Sequence, residues 1–278
     1  TDLQNPIFYQ SVALGDVDYW ANGWFPIHEA QLPDNFYDNA DKYGYVVKAG
    51  GLQGYLVSKD AADEFGITSL DDFKRPEVME AFDGDGDGLA DLVACPPGWG
   101  CEATITHHFE VYDLDEYVNP ITASYNASFA DALARYNNGQ PVFFYTWAPN
   151  WTIFKLKPGE DVVWINVPEL KPHEAQVGSE EFMSASGVVG AVSDPVDLGF
   201  VVSDIRIVAN NAFIEANPAA KALFEVFSLP LADINAQNTR MNDGENTEED
   251  IAKHVDEWIA ANQDTWNSWL ETARAAAQ

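Results

Sequence analysis

Positive charge is scarce in this chain. Fourteen Lys plus Arg stand against 45 Asp plus Glu in 278 residues, a formal net charge of −31. Such a field repels phosphate backbones, which argues against nucleic acid and against anionic lipid surfaces as partners. It attracts cations only weakly, because salt screens it within about 10 Å, so it reads first as a solvated acidic surface. Long apolar runs are missing too: none reaches the eighteen or so residues needed to span a membrane. The start, Thr1-Asp2-Leu3-Gln4, has neither the basic region nor the apolar stretch of a signal peptide, so any leader is expected to have been removed already. Cysteine is down to two residues, Cys95 and Cys101, in Cys-Pro-Pro-Gly-Trp-Gly-Cys. Two cysteines do not complete a four-ligand zinc site, and this spacing is not that of a zinc knuckle. The Pro and Gly between them favour a tight loop that brings the sulfurs into bonding range. This points to a disulfide and an oxidising compartment, the alternative being two unrelated buried thiols.

What is present describes a globular α/β protein. Hydrophobic residues make up 46%, and short apolar runs alternate with amphipathic stretches. Strands are expected at Tyr45–Val47, Gly54–Val57, Val142–Tyr145, Val162–Val167 and Ile205–Ala209. Asn217-Pro218 is a cap and first-turn pair for a helix reaching Phe227, and Asn126–Tyr136 reads as another helix ending at Asn137-Asn138-Gly139. Thr247 with Asp250 resembles a capping box, after which Ile251, Val255, Trp258 and Ile259 fall on one face and read as core. The segment Pro168–Val196 mixes Pro, Gly, Ser and acids and reads as an irregular surface excursion. Two lobes interleaved through crossing strands fit this order better than two domains in series.

Nine tryptophans matter chiefly for where they sit. Trp24 lies in Asn22-Gly23-Trp24-Phe25-Pro26-Ile27-His28, Trp99 inside the cysteine loop, and Trp147 and Trp151 in Tyr145-Thr146-Trp147-Ala148-Pro149-Asn150-Trp151. Each place joins an indole to turn-forming residues, where α/β proteins build sites; packing on the protein's own core is the plainer explanation. A quaternary ammonium gives the clustering a purpose, since it has no N–H to donate and indole faces surround it at on the order of 0.5–2 kcal/mol each. A carboxylate at the solute's other end needs donors, and the amides of Gly100 and Cys101 and the ring of His28 are candidates.

These residues carry a resemblance. Trp24-Phe25-Pro26-Ile27-His28, Gln53-Gly54-Tyr55-Leu56-Val57, Cys95-Pro96-Pro97-Gly98-Trp99-Gly100-Cys101-Glu102 and Pro141-Val142-Phe143-Phe144-Tyr145-Thr146-Trp147 follow in order along the chain. So do Asp161-Val162-Val163-Trp164, Ile207-Val208-Ala209-Asn210 and the run from Leu229-Pro230 to Gln237-Asn238. The chain resembles the ProX-type periplasmic binding proteins of glycine betaine/proline betaine ABC importers. The resemblance implies a two-lobed, type II periplasmic binding fold with ligand in the cleft, residues 1–57 and 205–278 forming lobe one and 58–204 lobe two. It implies that Trp24, Trp99 and Trp147 box a trimethylammonium group, and that His28 with the amides of Gly100 and Cys101 holds the carboxylate. It implies a monomeric, extracytoplasmic, non-catalytic carrier of a small zwitterion that serves a membrane permease and requires no cofactor. The family opens with a further strand–helix unit that has no counterpart ahead of Thr1, so lobe one is expected to lack it here.

A second constellation is Asp83-Gly84-Asp85-Gly86-Asp87-Gly88-Leu89-Ala90-Asp91. Alternating carboxylates and glycine match the first half of a calcium loop. The twelfth position is Ala94 where a bidentate Glu is usual, so Asp91 is the expected substitute; the alternative is a metal-free Asp-Gly turn. Catalytic signatures are thin: there is no nucleophile elbow, P-loop, dinucleotide fingerprint or zinc-protease motif, and adjacent His107 and His108 point to different sides of any regular element. The rival function is a secreted carbohydrate-active hydrolase whose tryptophans stack on sugar rings.

Overall fold

A computed structural model describes residues 3–277. The chain divides into two compact units, Thr1–Gly51 with Ser203–Gln278, and Leu52–Val202. The switch points fall a few residues from 57/58 and 204/205, the boundaries the resemblance implies.

The first unit opens with helix α1 (Asn5–Leu14), strand β1 (Tyr19–Phe25), a 3-10 turn at Ile27–Gln31 and a short helix α2 (Phe36–Asn39). Strand β2 (Ala40–Ser58) then runs from the first unit into the second. The stretches Tyr45–Val47 and Gly54–Val57 are therefore one strand. The interruption Lys48-Ala49-Gly50-Gly51 that separates them in the sequence appears as register shifts against the partner strand and a left-handed Ala49.

In the second unit come α3 (Lys59–Phe65), α4 (Pro76–Phe82), β3 (Ala90–Val93), α5 (Gly100–Val111), β4 (Val118–Ile121) and α6 (Tyr125–Asn137). They are followed by β5 (Phe143–Ala148), α7 (Thr152–Lys155), β6 (Val162–Ile165) and a two-residue pair β7 (Ser184–Ala185) and β8 (Val196–Asp197). The end of β2 pairs antiparallel with both β5 and β6, while β3 lies parallel to β5 and to β4. All four residues of β6 and of β3 are buried, as befits strands covered on both faces. Phe73, Phe82 and Phe143 form the aromatic centre, with Phe73 stacked on Phe143 at 4.1 Å. Full burial of such a side chain contributes about 1.5–3 kcal/mol. The segment 168–196 has two single 3-10 turns and the β7–β8 pair as its regular structure, in keeping with an irregular excursion.

Strand β9 (Ser203–Asn210) returns the chain to the first unit, where it sits between β1 and the start of β2, antiparallel to both. Its side chains alternate. Val208 joins Tyr9, Val12, Phe25 and Phe36 on one face, and Ile205, Ile207 and Ala209 join Val46, Val47, Ile214 and Phe224 on the other. Helices α8 (Asn211–Ala216), α9 (Pro218–Val226), α10 (Leu231–Asn242), α11 (Glu248–Ala261) and α12 (Gln263–Ala276) complete the unit.

Capping follows the sequence only in part. Thr247 and Asp250 form a reciprocal box at α11. Asn217 precedes α9 as expected, but its side chain turns back to donate to Phe213 O and closes α8 instead. The apolar face of α11 is a correction. Val255 is 48% exposed, Trp258 is half-buried, and the buried residue of this helix is His254. Helical periodicity fixes which residues share a face; whether a neighbouring element covers that face is decided elsewhere in the chain.

Candidate functional site

In the second unit the turn from parallel strand β3 into α5 follows the strand's carboxyl end, where open α/β sheets place ligands. Cys95 and Cys101 are joined in a disulfide, with Cα atoms 5.9 Å apart. Gly98 has φ near 84°, a left-handed conformation that favours glycine. Its N–H donates to Glu102 Oε2 at 2.6 Å, so Glu102, three residues into the helix, clips the loop from the far side. Trp99 is the residue flanking the first turn of α5, and no side chain caps that turn. The amides of Gly100 and Cys101 therefore lead the helix, and among the described residues no acceptor takes them. Free first-turn N–H groups at the positive end of the helix dipole suit a carboxylate.

Trp147, near the end of β5, meets Trp99 edge-on, with ring centroids 5.3 Å apart and planes at 80°. Both indoles are half-buried. Behind them stands Tyr125, the first residue of α6, 4.9 Å from Trp147 and 5.9 Å from Trp99. Its hydroxyl donates to Tyr145 O at 2.8 Å, and burial pushes its pKa up, so it stays a neutral wall of the corner. Tyr145 in turn donates to Gln53 Oε1 at 2.6 Å. Tyr125 is a residue that the sequence analysis missed; its only signal was an aromatic at the start of the expected 126–136 helix.

In the first unit Trp24 sits near the end of β1, half-buried, with Nε1–H donating to Asn22 Oδ1 at 2.9 Å. Gly51 gives it room: a Cβ there would stand 2.8 Å from the indole Cζ3 and 2.9 Å from Ser203 O. His28 lies beneath the Trp24 backbone, 6% exposed. Its Nδ1 accepts the Trp24 N–H at 3.1 Å and lies 2.6 Å from the Tyr9 hydroxyl. An acceptor Nδ1 puts the ring proton on Nε2, which stands 3.3 Å from Asn5 Nδ2; that amide nitrogen is itself a donor, to Gln31 Oε1 at 3.2 Å, so it does not accept the Nε2–H. Burial lowers the pKa of His28 to about 3, so the ring is neutral at physiological pH. This differs from the expectation of a simple carboxylate donor. Here the ring first orients Trp24, and its one N–H lies near Asn5.

Of the four carboxylates expected to act together in the acidic loop, three lie close to one another. Asp83, Asp85 and Asp87 each offer a carboxylate oxygen within 4.8 Å of the others. Asp91 does not join them: its Oδ2 takes Arg135 Nη1 at 2.6 Å and Gly84 N–H at 3.0 Å. Burial beside a guanidinium makes that carboxylate an ion-pair partner, which leaves three clustered carboxylates in the loop. His107 and His108 part as expected, His107 Nε2–H donating to Lys171 O at 3.1 Å while His108 is fully buried against Tyr55 and Gly199.

Residues 1–261 match the family described as the substrate binding domain of the ABC-type glycine betaine transport system, OpuAC. The chain belongs to this family. Among curated OpuAC relatives, the glycine betaine/proline betaine-binding periplasmic protein of Escherichia coli K12 is 43% identical over 284 residues, 99% of this chain and 81% of its own length. The glycine betaine-binding periplasmic protein OusX of Dickeya dadantii is 42% identical over 283 residues, covering 100% of this chain and 81% of its own. The lactococcal OpuAC in its closed, glycine betaine-bound form shares the fold at TM-score 0.69 and 18% identity, over 97% of this chain and 86% of that one. An ABC-transporter choline-binding protein in complex with choline does so at TM-score 0.70 and 18% identity, over 99% and 84%. The two-lobed periplasmic binding fold of the OpuAC family is thus the fold of this chain.

Proposed function

We propose that this protein captures glycine betaine, or a related quaternary-ammonium or sulfonium osmolyte, outside the cytoplasm and delivers it to the membrane permease of an ABC importer, as a monomer that catalyses no reaction. The observation that carries the reading is the Trp99–Trp147 corner beside the open first turn of α5. One surface suits a diffuse cation without N–H groups, and the adjoining one suits a carboxylate. Trp24 is the third indole of the set; His28 acts by holding the Trp24 backbone and through its Nε2–H. The curated relatives, both named for binding glycine betaine, support the same reading. Family membership also weighs against the sugar-hydrolase alternative.

Trp99→Ala and Trp147→Ala should each lose about 1.5–3 kcal/mol of glycine betaine affinity, roughly ten- to a hundredfold, from lost cation–π contact and burial. Calorimetric titration with glycine betaine checks this, and wild-type affinity in both variants would remove the indoles from the site. The disulfide should matter more for binding than for folding. A loop closed over a sequence separation of 6 contributes only about 2 kcal/mol by chain entropy. It also fixes Trp99 and the Gly100 and Cys101 amides in place before the ligand arrives. Reduced protein should therefore bind glycine betaine more weakly while its melting temperature falls modestly. Equal affinity with and without reductant would show that the loop holds its shape unaided.

A further inference from the structure

The first unit contains a second indole corner. A groove of about 300 Å³ opens among the segment before α10 and helices α10, α11 and α12, a volume at the lower end of small-molecule pockets. Its apolar lining includes Phe227, Ile234, Val255, Trp258, Trp266 and Trp269. Trp266 meets Trp269 at 73° with centroids 6.2 Å apart, much as Trp147 meets Trp99. Trp258 lies nearly parallel to Trp269 at 5.6 Å, and Phe227 closes the floor 5.0 Å from Trp269. Trp258 and Trp266 are half-buried, so ring surface remains available in the groove.

The polar rim differs from that of the first corner. Asp233 Oδ2 accepts the Trp258 Nε1–H at 2.8 Å and thereby fixes that indole. Arg240 is bridged by Glu257 and Glu245, at 2.7 Å each, and Glu245 also meets His254 Nε2 at 2.9 Å. Two carboxylates thus hold the one guanidinium, and with Asp233 and Glu257 set against Arg240 along the lining the rim keeps a negative balance. His254 lines the groove, is 5% exposed, and its Nδ1 finds no hydrogen-bond partner among the described residues. Indole faces beside surplus carboxylate attract an organic cation and repel a zwitterion's carboxylate.

We propose that this groove is a separate, weaker binding site for monovalent organic cations that carry an apolar or aromatic arm and no carboxylate. Two or three exposed indole faces in a wet groove support a dissociation constant on the order of 1 mM. The test uses protein saturated with glycine betaine, titrated with benzyltrimethylammonium chloride against sodium chloride of equal ionic strength, and followed by calorimetry and by proton NMR of the indole N–H signals. One saturable event is expected that shifts the signals of Trp258 and Trp266 and is not displaced by more glycine betaine. Trp266→Ala should weaken it about tenfold, Trp266→Phe much less, and both variants should keep wild-type glycine betaine affinity and melting temperature. The proposal is overturned if titration well past the expected constant gives no saturation, or if Trp266→Ala binds the probe as wild type does. It is also overturned if glycine betaine displaces the probe, or if sedimentation shows the groove closed by a second copy of the chain.

Discussion

Glycine should fail to displace glycine betaine from this protein, and choline should displace it only at clearly higher concentration. The argument rests on two ends of one ligand being held by different physics. The Trp99–Trp147 corner offers faces and no hydrogen-bond acceptors, so it suits a cation whose charge is spread over methyl groups. Glycine presents the same carboxylate to the amides of Gly100 and Cys101, but its ammonium would lie against indole with its N–H groups unpaired. Burying such a group without partners should cost at least about 3 kcal/mol, more than a hundredfold in affinity. Choline keeps the trimethylammonium and replaces the carboxylate by a hydroxyl. The first-turn amides of α5 then face a neutral oxygen at the positive end of a helix dipole, a loss of about 1–3 kcal/mol. The expected order is glycine betaine, then choline, then glycine, with glycine barely detectable by calorimetric competition. Glycine competing at concentrations similar to glycine betaine would reject the indole corner as the cation site.

Much of this site is written locally in the chain, which is why it was legible before the structure. Cys95 to Glu102 carries its own geometry: two cysteines, a left-handed Gly98, an indole and the start of a helix, all within eight consecutive positions. The strands that were recognised are runs of β-branched and aromatic residues. Those that were missed lack that pattern: β1 carries Asn-Gly in its middle, β4 carries Pro120, and β3 follows directly on the Asp-Gly run. What the sequence hides is which neighbour completes a residue's surroundings. Tyr125 backs the corner from a helix 22 or more residues away from either indole in sequence. Asp91 is drawn from the acidic loop by Arg135, 44 positions on. The stripe on α11 has core periodicity and lines an open groove. In each case a residue's surroundings are completed by an element distant in the chain, which a local pattern does not contain.

Two of the buried histidines, His28 and His108, should make the protein acid-sensitive well above the pH at which its carboxylates titrate. Desolvation lowers His28 and His108 to about 3 in the folded chain, against about 6.5 in an unfolded one. For His108 the neighbouring His107 pushes in the same direction, while the Gly199 carbonyl that accepts its Nε2–H opposes it. Its Nδ1 is met by the Tyr55 hydroxyl, itself buried and held neutral. Around His28 stand Tyr9, also held neutral by burial, the Asn5 carboxamide and the Trp24 amide. Because the unfolded state binds the proton that the folded state refuses, stability rises with pH between about 3 and 6.5. It is fully present above that window and lost progressively as pH falls through it. At pH 5 each ring should have withdrawn about 2 kcal/mol. His28 belongs to the first unit and His108 to the second, so each unit should lose its own share. Relief of repulsion among the 45 acidic residues works the other way, but most of those carboxylates remain ionised at pH 5 and their relief comes later. Denaturant unfolding at pH 7 and pH 5 should therefore show midpoints displaced downward for both units, while imidazole nitrogen NMR finds both rings still neutral in the folded protein at pH 5. Glycine betaine affinity should meanwhile stay level from pH 8 to pH 5, since no group proposed to touch it changes charge in that range. Rings that titrate near 6.5 in the folded protein, or midpoints that do not move, would show that water reaches these two histidines.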